Sequence, residues 1–261
     1  MRRTTVITGA SSGIGEEFAR RFAQQGHDVV LVARRLERLE SLATELRWQY
    51  PVTVTPMALD LTEPRPGAVL RGRLAERGMV AGALVNCAGY GRTEMFAQAD
   101  ADDVTRQIAL DVTALTDLTK AFWPDLLDAE AGGLLINVAS LTGYAPMPGM
   151  AVYAAAKAFV LSFTEALWAE TRDSRLRVLC LSPGATSSEF YQTSGTSTQG
   201  TRFQTPEQVV DTAFRALGTG RPTVVSGRVN ALLAGLMHTL PRRIVLALTA
   251  RQAPKPSAVA P

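Results

Sequence analysis

Short apolar runs alternate with longer stretches of helical periodicity along almost the whole chain, and this alternation most constrains the fold. The runs fall at residues 5–7, 28–33, 52–59, 83–87, 134–139, 177–181 and 223–226. Helical patterns follow at 14–25, 36–48, 68–76, 101–128, 151–171 and 207–217. Runs such as Leu134–Ala139 lack polar alternation, so they predict strands buried on both faces, in a parallel sheet covered by helices. Right-handed crossovers then make an α/β, doubly wound sheet of about seven strands. The hydrophobic fraction of 46% and charged fraction of 20% exclude a disordered chain. Residues 1–252 read as one domain, with 227–252 as a C-terminal extension of apolar helices. The proline-bearing stretch 253–261 reads as a disordered tail.

Several function classes fall away early. The net charge is only +3, lysine occurs only at 120, 157 and 255, and no basic stripe is interleaved with aromatics. That pattern argues against nucleic-acid binding. His27 and His238 are the only histidines, and Cys87 and Cys180 lie far apart in apolar segments. No metal cluster is expected, and both cysteines read as small core residues in a reducing compartment. No signal-peptide pattern opens the sequence and no apolar stretch is long enough to span a bilayer, so a cytoplasmic location is expected.

The first strand runs into Thr8-Gly9-Ala10-Ser11-Ser12-Gly13-Ile14-Gly15. A doubly wound sheet presents a helix N-terminus to a phosphate at this turn. Glycines allow the tight turn and a close backbone approach to pyrophosphate, while Ser11 and Ser12 add hydroxyl donors. The spacing Gly-x-x-x-Gly-x-Gly resembles the cofactor loop of the short-chain dehydrogenase/reductase family. Asn86-Cys87-Ala88-Gly89, Ser140, Tyr153, Lys157 and Pro183-Gly184 resemble further motifs of that family, over about residues 4–226. The resemblance implies a Rossmann-type domain, a nicotinamide cofactor and hydride transfer to or from a carbonyl or alcohol carbon. It also implies a homodimer or homotetramer.

Cofactor contacts expected from this resemblance are Gly9, Ser11, Ser12, Gly13, Ile14, Gly15, Asp60, Leu61, Asn86, Ala88, Gly89, Tyr153, Lys157, Pro183, Gly184, Thr186 and Ser188. Asp60-Leu61 resembles an adenine-edge contact, and Ser188 stands where relatives often hold the nicotinamide carboxamide with threonine. An acidic residue after the second strand would favour NAD; this chain has Ala33-Arg34-Arg35 instead. Arginine attracts a 2′-phosphate, so NADP(H) is the expected cofactor, with Arg34 as the clamp. Arg35 is either a second clamp or the start of a solvated helix.

Tyr153 and Lys157 are four residues apart in a helical pattern and share one face. A nearby ammonium favours the phenolate, which should bring the tyrosine pKa down towards the working range. The family resemblance makes Tyr153 the acid/base, Lys157 a ribose ligand and Ser140 the residue that orients substrate. Many relatives carry a fourth catalytic residue, an asparagine, where this chain has Asp111. Ionised aspartate only accepts hydrogen bonds and would pair with Lys157, whereas protonated Asp111 would preserve much of a relay. Altered but retained activity is the expectation; a cofactor-binding regulatory or scaffold protein is the alternative.

Tyr90, Tyr144, Met147 and Phe190, with Leu141 and Met150, are the candidate substrate wall, joined by Ser140 and Tyr153. They suggest an apolar or amphipathic carbonyl compound. Residues 189–204, rich in Ser, Thr and Gly with Phe190, Tyr191 and Phe203, read as a mobile substrate loop. Residues 229–240 and 244–250 read as apolar helices broken at Pro241. Three readings stand for 228–250: a pocket lid, a subunit contact, or weak contact with a membrane surface through Arg242-Arg243. Modest basic content ranks the membrane third.

Overall fold

The computed structural model describes residues 1–196, 198 and 201–252. Seven strands, β1 (Arg2–Thr8), β2 (Val29–Ala33), β3 (Val54–Ala58), β4 (Met79–Asn86), β5 (Leu134–Val138), β6 (Arg177–Ser182) and β7 (Thr223–Val225), pair in parallel in the order β3-β2-β1-β4-β5-β6-β7. The helices are α1 (Gly13–Gln24), α2 (Leu36–Gln49), α3 (Pro66–Ala75), α4 (Ala101–Ile108), α5 (Leu115–Leu127), α6 (Ala151–Glu170), α7 (Phe190–Ser194), α8 (Pro206–Leu217), α9 (Arg228–Thr239) and α10 (Arg242–Thr249). The sheet is doubly wound, as its sequence pattern implied. The proposed tail at 253–261 lies outside the described residues.

Period-two alternation within each strand feeds two cores. Ile7, Val29 and Leu31 face α1, α2 and α8, where Phe18, Phe22, Leu39, Leu46 and Val209 are buried. Val6, Val30 and Val32 face the other way, against Leu70 and Leu74 of α3 and Leu118 and Phe122 of α5. Fully burying one such side chain stabilises the fold by roughly 1.5–3 kcal/mol. Pro56 sits in β3, an edge strand, where a missing amide donor is tolerated. Local chemistry agrees: Thr205 and Gln208 form a reciprocal capping box on α8, and Asp100 caps α4 through the Asp103 amide.

Two stretches differ from their sequence pattern. β4 starts at Met79 rather than 83, because its pairing with β1 shifts between Ala81 and Ala83. The bulge at Gly82 interrupts the apolar run without ending the strand. The helical pattern at 101–128 is not one helix: a π-helical turn, Ala109–Ala114, separates α4 from α5. The wider turn carries Asp111 to a buried position.

The sheet positions the site through its strand order. β2 and β3 lie on one side of β1, and β4 lies on the other. A crevice opens where the winding reverses, at the carboxyl ends of the strands.

Candidate active site

One cavity of about 600 Å³ follows the carboxyl ends of β1 to β6. Gly9, Ser11, Ser12, Gly13, Ile14 and Gly15 line it after β1, Arg34 and Arg35 after β2, and Asp60 and Leu61 after β3. Ala88, Gly89 and Tyr90 follow β4; Ser140 follows β5; Pro183, Gly184, Thr186 and Ser188 follow β6. Tyr153 and Lys157 reach it from the first turns of α6, and Met147, Met150 and Phe190 close the far end.

The glycine-rich turn after β1 is held by its own packing. Gly9 has φ +69°, and a Cβ there would lie 2.9 Å from the Ala88 backbone. Only glycine accepts both constraints at low cost. Thr8 Oγ1 receives the Cys87 and Ala88 amides at 3.0 and 3.1 Å, fastening the β4 turn against the glycine loop. Ser12 precedes α1 without capping it by its side chain, so the first amides of α1 stay available to an anion. This cradle, opening into a long cavity, fits a dinucleotide.

The two arginines after β2 behave differently. Arg34 is exposed, and among the described residues it has no hydrogen-bond or ion-pair partner. Arg35 is engaged: it pairs with Glu189 at 2.8 Å and donates to Ser11 Oγ at 3.0 Å and Ser12 Oγ at 3.3 Å. Glu189 also takes Arg38, and the two arginines hold its carboxyl below the usual range. Burial raises the Asp60 pKa, but the Thr62 amide and hydroxyl and the Arg34 charge together keep it low.

At the reacting end, Lys157 Nζ donates to Asp111 Oδ1 at 3.4 Å and to the Val138 carbonyl at 3.3 Å. It lies 5.5 Å from the centre of the Tyr153 ring. Ser140 follows β5, with its Oγ accepting the Thr142 amide at 3.2 Å. A Cβ on Gly89 would fall 2.3 Å from Asp111 Oδ1 and 3.0 Å from Lys157 Nζ, so glycine leaves room for the pair. Burial pushes the Asp111 carboxyl up to about 6, with Lys157 pulling the other way. Burial lowers the Lys157 pKa, but Asp111 and Tyr153 outweigh it and the ammonium is retained.

Tyr153 corrects one expectation. Its pKa is raised, not lowered: burial dominates, Lys157 opposes it, and Asp111 adds to the rise. The group therefore presents a neutral phenol beside an ammonium–carboxylate pair.

Three further placements differ from the sequence reading. Asn86 is buried and turned from the cavity, donating to Thr119 Oγ1 at 3.0 Å and Asn137 Oδ1 at 2.9 Å. It ties β4 to α5 and β5 instead of meeting the cofactor directly. Tyr144 does not line the cavity; it packs against Leu115, Ala139, Val160, Leu161 and Cys180. Cys180 is a core residue, whereas Cys87 is half-buried and lines the cavity. Sequence reasoning missed Thr8, Glu189, Leu233 and Met237. Thr8 stands within the glycine fingerprint, but its hydroxyl serves a turn about eighty residues away. Leu233 and Met237 of α9 line the cavity, which agrees with the lid reading of 228–250, although the sequence does not single out these two residues. After β6, Tyr191 meets Phe203 edge-on at 4.8 Å, and Thr186 pairs with Gln204.

Comparison with known proteins agrees with this geometry. The model of the short chain dehydrogenase family matches residues 3–199. Sulfoacetaldehyde reductase of Chromohalobacter salexigens is 39% identical over 70% of this chain and 72% of its own. A short-chain dehydrogenase from Sphingobium yanoikuyae, solved with NADPH, superposes with a TM-score of 0.80 at 34% identity, covering 93% of this chain and 97% of that one. The bulky-bulky ketone specific alcohol dehydrogenase from Comamonas testosteroni gives 0.76 at 31% identity over 93% and 96%. Fold, glycine cradle and sequence match converge: the chain belongs to the short-chain dehydrogenase/reductase family and is an oxidoreductase.

Proposed function

We propose that this chain moves a hydride between NADP(H) and the carbonyl or alcohol carbon of an uncharged, apolar compound, with carbonyl reduction as the favoured direction. The observation that carries the reading is the opening of the Ser140, Tyr153 and Lys157 group into the same cavity as the glycine cradle. Bound NADPH supplies the hydride. Gly9 to Gly15 hold the pyrophosphate, Arg34 meets the 2′-phosphate, and Asp60 with Leu61 borders the adenine. Pro183, Gly184, Thr186 and Ser188 cover the nicotinamide side.

The protein's own part is the oxygen of the substrate. Ser140 Oγ hydrogen-bonds it, and the Tyr153 phenol donates a proton to the alkoxide as it develops. A raised phenol pKa suits this donor role, because the proton is present over the whole neutral range. Lys157 stabilises the phenolate left behind and holds the nicotinamide ribose. Asp111, through Lys157, is a positioning residue.

The substrate class follows from the far wall. Leu141, Met147, Met150, Phe190, Leu233 and Met237 line it, while the charged lining residues are Arg34, Arg35, Asp60, Lys157 and Glu189, at the cofactor and catalytic parts. An acidic or sulfonated substrate would find no counter-charge there, and burying its charge unpaired is costly. Sulfoacetaldehyde reductase, 39% identical, is named for such a substrate, so the apolar wall argues for a different preference here. The family resemblance also supports a cytoplasmic homodimer or homotetramer, with residues 1–252 as one unit.

Tyr153→Phe tests the reading. Turnover of NADPH with neutral ketones should fall on the order of 10²–10⁴-fold, with NADPH binding retained by fluorescence titration. Turnover that survives the substitution would remove Tyr153 as the proton donor. In a carbonyl screen, neutral bulky ketones and aldehydes should outpace sulfonated and carboxylated ones; the reverse order would sink the substrate class.

A further inference from the structure

Helix α9 reverses the usual arrangement of an amphipathic helix. Val229, Leu232 and Leu236 recur at i, i+3 and i+7, the spacing of a stripe that normally faces a core. Here the stripe is bare. Val229 and Leu232 are 71% and 74% exposed, and Leu236 is 45% exposed. The side turned to the protein carries the small, buried Ala234, with Met237 reaching the cavity. In α10, Ile244 and Leu248 lie one turn apart and are also exposed.

Charge is equally one-sided. Asp211 is the last acidic residue of the sequence; Arg215, Arg221, Arg228, Arg242, Arg243, Arg251 and Lys255 all follow it. Arg228, Arg242, Arg243 and Arg251, in or beside the two helices, are exposed. Among the described residues none of the four joins an ion pair. No described helix is long and apolar enough to cross a membrane.

We propose that the face formed by α9 and α10 docks on an anionic lipid bilayer, in the plane of the surface. Val229, Leu232 and Leu236 enter the boundary between headgroups and acyl chains, and the arginines meet lipid phosphates. A second copy of the chain fits this face less well. A two-fold contact centred on it would set the arginines against their own copies, with no carboxylate from either segment to offset them. The sequence alone ranks the membrane third on its modest basic content; the bare stripe beside unpaired arginines raises it above the subunit contact, and Leu233 and Met237 in the cavity wall agree with the lid. Because Leu233 and Met237 belong to the cavity wall, the docked face adjoins the substrate site. On the apolar-substrate reading above, a carbonyl compound dissolved in lipid reaches the site past its own lid.

Vesicle sedimentation of the full chain with NADPH tests the docking without reference to turnover. Phosphatidylcholine vesicles serve as the neutral surface, and phosphatidylcholine mixed with phosphatidylglycerol as the anionic one. Binding to the anionic vesicles should exceed binding to the neutral ones by on the order of ten-fold or more, and should weaken with salt. Val229→Asn/Leu232→Asn and Arg242→Gln/Arg243→Gln should each reduce it, with the unfolding temperature and turnover of a water-soluble ketone unchanged. Failure to sediment with anionic vesicles overturns the proposal, as does equal binding to both surfaces. A lipid-free dimer that Val229→Asn/Leu232→Asn dissociates also overturns it, by making the face a subunit contact. Loss of ketone turnover in Tyr153→Phe bears on the reaction and leaves the sedimentation result independent.

Discussion

Replacing Asp111 by Asn keeps the shape of a side chain that is 1% exposed and removes the carboxylate that pairs with Lys157. In the folded protein this carboxyl titrates at about 6, against 3.8 for the free side chain. At about 1.4 kcal/mol per pH unit, that gap makes the ionised form about 3 kcal/mol costlier to bury than the protonated one. Burial is the main cause, and the Lys157 charge only partly offsets it. The unfolded chain releases the proton near 3.8 and the folded chain near 6, so in between the native state binds more protons. Stability therefore falls as pH rises through this window, and the full penalty is present above it. Asparagine carries none of it.

The stability difference between Asp111→Asn and the parent should thus shift in the variant's favour by about 1.4 kcal/mol between pH 5 and pH 8, the remainder of the shift accruing below pH 5. For a chain of this size that is roughly 3–5 °C in unfolding temperature. Losing its counter-charge also lets burial lower the Lys157 pKa, which adds in the same direction. Thermal unfolding of both proteins across that pH range, without cofactor, reads the difference. Parallel curves would refute the buried, ionised carboxylate. The reaction gives a second reading. Asp111 raises the Tyr153 pKa, so alcohol oxidation by the variant should reach its plateau at lower pH; an unmoved profile would disconnect Asp111 from the phenol.

Two other substitutions probe the cofactor end and the crowding around the pair. Arg34→Ala should raise the KM for NADPH on the order of 10–100-fold, the worth of a charge-assisted hydrogen bond, and leave that for NADH nearly unchanged. Equal effects on both cofactors would move the 2′-phosphate contact elsewhere. Gly89→Ala puts a Cβ 2.3 Å from Asp111 Oδ1 and 3.0 Å from Lys157 Nζ. It should cost about 1–3 kcal/mol in denaturant unfolding and lower kcat more than it raises the KM for NADPH. Wild-type kcat in a stably folded Gly89→Ala protein would mean that the pair can shift without consequence.

Much of the molecule is legible in its sequence because its signals are local. β2 is an unbroken apolar run and β5 is broken only by Asn137, and the Ser140, Tyr153 and Lys157 positions flank a single β5-to-α6 connection. What escapes is set by distant packing. Asn86 and Cys87 are adjacent, yet one points into the sheet interior and the other into the cavity. Which of the two meets the cofactor space depends on the register of β4 against β5, not on the motif. The π-helical turn is likewise invisible to a 3.6-residue periodicity, although it governs where Asp111 lands. The lid residues Leu233 and Met237 require α9 to fold back across the carboxyl ends of strands more than forty residues earlier. The tyrosine pKa misleads for a similar reason. Its helical neighbour Lys157 is visible in the sequence and lowers the value, while the burial that outweighs it is a property of the whole fold.

The charge balance of the buried centre then bears on direction. At neutral pH, Lys157 and Asp111 offset one another and Tyr153 is an uncharged phenol. Reduction begins from this state, since the proton to be donated is already on the phenol. Oxidation begins from a phenolate, which adds a second negative charge to a desolvated site holding one ammonium. Had the position been asparagine, the centre would carry a net positive charge and the phenolate would be the form that neutralises it. Asp111 therefore shifts the resting protonation towards the proton donor without touching the reacting oxygen. Below about pH 6, where Asp111 takes up its own proton, its contribution to the raised phenol pKa is withdrawn. The aspartate thus acts on the Tyr153 phenol through Lys157, which it contacts, rather than through the substrate.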